Sequence, residues 1–270
     1  MRKKTLTQYL LIAIAIIFLV IMLILPLFFV LTSALSNGFN AYLEAISDEY
    51  TLKALKLTLI TTLVTIIVNV IFSLSAIWLL FNYQFKGKNI LMSIIDIPFA
   101  ISPIVVGLFY VLTFGRIGWL FPIVNFLGVK IIFALPAVIL VTIFVTLPFM
   151  TREVIPVLEA RGNDEEQAAA IFGASASTIY RKITLPHIKW PLIYGLVLTT
   201  ARALGEYGAV SIVSGNLRGK TVTVPLQVEL LYNEYQFSAS YAVASILLII
   251  AIVILIIRNV VEYRGRQLSN

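Results

Sequence analysis

The charges of this chain fall in clusters, and the bare stretches between them are long enough to decide the fold class. No charged residue lies between Lys4 and Glu44, Lys56 and Lys86, Lys130 and Arg152, or Glu234 and Arg258. Two further stretches are nearly bare. Only Asp96 intervenes between Lys88 and Arg116, and only Arg202 and Glu206 between Lys189 and Arg218. A helix needs roughly 20 mostly apolar residues to cross a bilayer. Six candidate spans follow, near 9–31, 57–81, 90–113, 131–150, 190–213 and 237–257. A soluble helical protein can bury one such run, but not six. The predicted fold class is therefore all-α integral membrane, with about six transmembrane helices. Charged residues make up 12% of the chain, half of the roughly 25% usual in soluble domains.

Lys and Arg concentrate in cytoplasmic loops, which gives an orientation. With the N-terminus inside, the inner side carries 13 of them against 6 outside, and Arg202 is left in the membrane. Both termini are therefore expected in the cytoplasm. Arg2, Lys3 and Lys4 ahead of an apolar run imitate a secretory signal. The run exceeds 20 residues without an A-x-A site, whereas a signal core is about 7–15, so it reads as a retained span. The net charge of +7 belongs to these juxtamembrane clusters and calls for no nucleic acid. With no cysteine, disulfides, thiolate metal sites and a cysteine nucleophile are excluded.

The chain divides into an N-terminal part (1–50: tail, first span and polar outer loop), a transmembrane domain (51–260) and a C-terminal tail (261–270). Pro98 and Pro103 predict kinks in the third span, while Pro136 and Pro148 punctuate the fourth. One loop stands apart. Residues 151–189 hold ten charges and the only histidine, too much for a simple turn. Asn163 or Asp164 suits a helix N-cap, followed by acids in the first turn. Gly173 suits the left-handed closing position. A second helix is expected to begin near Ser175 and to end before Pro186, with Arg181 and Lys182 near its C-terminus.

The catalytic inventory is nearly empty. Gly87-Lys88 lacks the first glycine and the Ser/Thr of a P-loop, no H-E-x-x-H occurs, and His187 stands alone. Energy-driven work would need its ATP chemistry from another chain. Three features remain. Ala168, Ala169, Ala170 and Gly173 keep the small loop helix approachable, as a partner-docking element or as an ordinary loop helix. Arg202 and Glu206 lie four apart in the fifth span, on one helical face and able to pair. Ionisable groups at that depth point to function, here an arginine lining or gating an anion path; the other reading is an ion pair locking the bundle. Gly195, Thr199, Ala201, Ala203, Gly205, Gly208 and Ala209 let this helix pack closely. Asp96, just before Ile97-Pro98, reads first as an N-cap at a helix break and second as a substrate or coupling residue.

The loop resembles the cytoplasmic signature of permease subunits of ATP-binding-cassette importers: E-A-A, three residues, G, nine residues, I-x-L-P. Gln167-Ala168-Ala169 precedes Gly173, and Ile183-Thr184-Leu185-Pro186 follows at the family spacing. Gln167 replaces the usual acid, with Glu166 just before it. The stretch 201–209, Ala-Arg-Ala-Leu-Gly-Glu-Tyr-Gly-Ala, is similar to the fifth-span signature of the sulfate and molybdate importers. The segments 96–103, 151–156 and 213–219 look most like sulfate/thiosulfate permease subunits, and the likeness runs from about 50 to 260.

The resemblance implies a type I importer permease fold and transport by alternating access. It implies that Glu166, Gln167, Ala168, Ala169, Gly173, Ala174, Ile183, Leu185 and Pro186 form the contact with a separate ATPase, present in two copies. That ATPase would use ATP and magnesium, leaving this chain without a cofactor. A second related permease or a second copy of this chain, and an extracytoplasmic oxyanion-binding protein, complete the expected assembly in the inner membrane. Arg202, Glu206 and Asp96 are the candidate pathway or gate residues. Molybdate or tungstate is the alternative cargo. A membrane-embedded enzyme or an ATP-independent channel would have to act without the partner.

Overall fold

Among the described residues, four helices are long and apolar enough to cross a membrane, or six spans result if each of two bent helix pairs counts as one. The computed structural model describes residues 6–268, with side chains over 8–263. Arg2, Lys3, Lys4 and the side chains of Arg264 and Arg266, five of the 13 cations expected inside, lie outside the described residues.

The first span joins α1 (Leu6–Leu19), a π turn (Val20–Ile24) and α2 (Leu25–Ala34). It is apolar on every face and almost wholly exposed, as suits a helix surrounded by lipid. It meets the bundle through α2, where Ala34 is buried and Phe29 sits edge-on to Tyr241. The short α3 (Phe39–Ser47) leads to Asp48, whose carboxylate accepts from the backbone N–H of Tyr50 and Thr51 at 2.9 and 3.1 Å. That cap opens α4 (Glu49–Asn82), which buries Thr51, Ala54, Thr58, Thr61, Thr65, Asn69, Ser73 and Ala76 at helical spacing. Small residues let membrane helices approach closely. Asn69 Nδ2 crosses to donate to Thr146 Oγ1 at 2.7 Å.

The third span is broken more sharply than a kink. α5 (Lys88–Ala100) and α6 (Pro103–Phe114) are bent by 106°. Pro103 lacks the N–H that would continue α5, and it forces Ser102 into extended backbone at ψ 132. After α7 (Phe121–Phe126), α8 (Leu135–Thr146) and α9 (Pro148–Arg161) form one span over Leu135–Arg161. Helix thus continues well into the segment expected as loop. Beyond it come α10 (Asp164–Ile171), α11 (Ala176–Ile179), a second π turn (Tyr180–Thr184) and α12 (Leu185–Leu204). The second loop helix therefore does not end before Pro186. A wider turn, closed by Leu185 N–H on the Tyr180 carbonyl, brings the proline into the first turn of α12, where its missing donor costs nothing. Arg181 and Lys182 accordingly lie mid-helix. The fifth span then bends by 48° into α13 (Gly208–Ser214), and α14 (Val224–Asn233) and α15 (Phe237–Leu268) complete the chain.

The main core is built from small and β-branched residues, among them Val106, Val138, Val141, Ala209, Val210, Val213 and Val224. Backbones come close: a Cβ on Gly195 would lie 2.8 Å from Met150 Cα, and one on Gly107 2.7 Å from the Ala209 carbonyl oxygen. A separate cluster of Ile77, Val154, Leu158 and Ile188 ties α4, α9 and α12 together.

Candidate functional site

Two constellations emerge, one in the loop between α9 and α12 and one within the spans. In the loop, Gly162 turns the chain at φ 76 and Asn163 precedes α10. Asn163 makes no side-chain cap; its Oδ1 instead accepts from Gln167 Nε2 at 2.7 Å. At the other end Gly173 adopts φ +80, and a Cβ there would meet open space, so only backbone conformation calls for glycine. The Gly173 N–H reaches the Ala170 carbonyl and the Ala174 N–H the Ala169 carbonyl, both at 3.0 Å. This is the double hydrogen bond of a Schellman ending.

The acid that matters structurally is Glu166. It is 6% exposed. Arg161 Nη1 donates to its Oε1 at 3.0 Å and Thr184 Oγ1 donates to the same oxygen at 3.1 Å. Arg161 Nη2 also pairs with Glu165 at 2.7 Å, and His187 Nε2 stands 3.7 Å from that carboxylate. Arg161 therefore clamps the first turn of α10 to the end of α9, and Thr184 ties it to the approach to α12. Gln167 and Ala168 remain exposed and Ala169 half-buried. Beyond them Ile171 is 84% exposed and Phe172 90%. Two large apolar side chains on an anchored helix end form a surface suited to a partner. Ile183 is half-buried, while Leu185 packs against the cluster below the loop.

Neither Arg161 nor Thr184 stands out in the sequence. The one signal is an arginine five residues ahead of an acid at a predicted helix start. Ile171 and Phe172 are legible as apolar residues in an otherwise polar loop.

Within the spans, Arg202 Nη1 lies 2.6 Å from Glu206 Oε2, so the predicted pairing forms. Its geometry differs from two residues on one helix. α12 stops at Leu204 and Glu206 sits in the break, where its Oε1 accepts from the Ala209 N–H at 2.9 Å. The Glu206 side chain is 1% exposed and that of Arg202 31%, so the acid is fixed and the guanidinium stays accessible. Asp96 caps no helix. It lies within α5 and accepts from Arg152 Nε at 2.8 Å, because the break falls after Ala100 and leaves the acid in a continuous turn. Arg152 also lies over the Phe99 ring, 4.3 Å from its centroid.

Residues 70–267 match the family model for binding-protein-dependent transport system inner membrane components. The chain is 45% identical over 266 residues to the sulfate transport system permease protein CysW of Synechococcus elongatus, covering 98% of this chain and 93% of that protein. It is 40% identical over 242 residues to the Escherichia coli protein of the same name, covering 90% and 83%. Among solved structures, it resembles the bacterial alginate importer with a TM-score of 0.77 at 16% identity, covering 97% of this chain and 96% of the other. The same transporter with its pentasaccharide-bound periplasmic protein gives a TM-score of 0.80 at 17% identity, covering 97% and 94%. These two likenesses concern the fold. The chain belongs to the family of binding-protein-dependent transport system inner membrane components and is an integral membrane permease subunit.

Proposed function

We propose that this chain is the permease subunit of an ATP-driven sulfate importer of the inner membrane. Thiosulfate is the second cargo of the same chemistry. The carrying observation is the anchored α10, with Ile171 and Phe172 presented outward. In this reading α10 and the turn after it dock into a separate ATPase, two copies of which serve the assembly. Glu166 holds the docking helix to the bundle, while Gln167, Ala168, Ala169, Gly173 and Ala174 shape its contact surface. Ile183, Leu185 and Pro186 pass its displacement into α12. The ATPase uses the ATP and magnesium; this chain supplies the path and alternates its access between the two sides. A second related permease, or a second copy, completes the path, and an extracytoplasmic binding protein delivers the anion. Both termini and α10 face the cytoplasm, in line with the 13-to-6 distribution of Lys and Arg. The sulfate reading rests on the extensive similarity to the two CysW proteins.

Reconstitution with the ATPase, partner permease and binding protein tests this directly. Uptake of labelled sulfate should require ATP and should be competed by unlabelled sulfate or thiosulfate. Stronger competition by molybdate or tungstate would transfer the assignment to those oxyanions, and uptake without ATP would end the importer reading.

A further inference from the structure

Two arginines lie at different depths of the spans, and their counter-ions are held differently. Gly195 of α12 meets Met150 of α9, and Ile188 clusters with Val154 and Leu158. The two helices therefore run antiparallel. Arg152 lies two residues to the loop side of Met150, and Arg202 seven residues beyond Gly195 in the opposite direction. At 1.5 Å per residue their backbone positions stand about 14 Å apart along the bundle. Glu206 is immobilised by burial and by its bond to the α13 backbone. Asp96 is 42% exposed and holds Arg152 by one contact, with no second hydrogen bond to its carboxylate among the described residues.

Resting on the importer reading above, we propose that Arg152 is an oxyanion station on the loop side of the path, and that Asp96 is its exchangeable counter-ion. The side chain of Arg152 is 45% exposed. At the loop-side end of its span, such a charged group faces water or the bundle interior rather than lipid. Among the described residues, one of the five guanidinium N–H donors is used on Asp96, and the plane rests on Phe99. The unused edge matches a tetrahedral oxyanion, which takes paired N–H donors from a weakly hydrated planar cation. Asp96 keeps the cation neutralised while the path is empty. An arriving anion displaces the carboxylate, and the carboxylate, returning, helps to expel it. A single-contact pair suits this exchange, whereas Glu206 is too firmly held to leave Arg202.

The competing explanation is a clasp that only fastens α5 to α9. The two separate on an asymmetry. In the reconstituted complex, Arg152→Gln should lower sulfate uptake at least tenfold while the ATPase remains bound. Asp96→Asn keeps the cation, so uptake should continue, with inhibition by sulfate inside the vesicle appearing at a several-fold lower concentration. The charge swap Asp96→Arg with Arg152→Asp re-forms a pair and should leave uptake low. Equal losses in Arg152→Gln and Asp96→Asn, including equal failure to assemble, would overturn the station, as would wild-type uptake by Arg152→Gln or recovery in the swap. The wild-type complex is the separate control: absence of sulfate uptake there defeats the importer reading itself.

Discussion

Glu166 and Gly173 show how much of the loop rests on single residues. Glu166 is buried and takes two donors on one oxygen, one of them from the mostly buried Arg161. Removing one partner of a buried ion pair leaves the other uncompensated, a loss of about 3–5 kcal/mol when burial is complete. Glu166→Ala should therefore release α10, seen as faster proteolysis of the loop, and Arg161→Ala should reproduce it. Gln167→Ala removes only the exposed hydrogen bond to Asn163 and should leave proteolysis unchanged. Gly173 works through backbone conformation. A non-glycine residue at its positive φ costs about 1–2 kcal/mol, and aspartate adds a charge beside the exposed Phe172. Gly173→Asp should insert normally but fail to co-purify with the ATPase and fail to transport; normal uptake would remove α10 from the coupling route.

Among the elements, α9 and α12 make one of the close backbone contacts of the bundle. Gly195 approaches Met150 so closely that an added Cβ would sit 2.8 Å from its backbone. Overpacking of this kind costs about 1–3 kcal/mol. Gly195→Val should lower the thermal stability of the detergent-solubilised protein and weaken transport, whereas Gly128→Ala, at a position open within 4 Å, tests only backbone strain and should leave the α9–α12 packing intact. The π turn before Leu185 has a related role. It lets one continuous helical arm run from Ala176 into the fifth span, a stiff route into α12 for the displacement of α10 proposed above. Local rules treat proline as a breaker, which is why the sequence predicts a stop at Pro186. A five-residue turn closed on the Tyr180 carbonyl instead places that proline where a helix tolerates it.

At the scale of the whole molecule, the break between α12 and α13 places the Arg202–Glu206 pair where two helix directions meet. Arg202→Ala should lower transport several-fold without changing binding-protein affinity, measured by uptake and by a separate binding assay. Unchanged uptake would favour the pair as a lock on the bundle. Much of this is legible in the chain. Four charge-free stretches and two nearly bare ones mark six apolar segments, because a bilayer core rejects isolated charge. The spacing of small residues and glycine marks α10 and its ending, because those requirements are local. The pairing of Arg202 with Glu206 is also local, four residues apart. What only the tertiary structure decided were relations across distance: that Arg161 and Thr184 converge on Glu166, that Asp96 meets Arg152 rather than capping a helix, and that the third span folds back by 106°. Local sequence sets hydropathy, caps and breaks, whereas the partner of a charge and the size of a bend depend on which helices pack together, and that is settled only when the whole bundle closes.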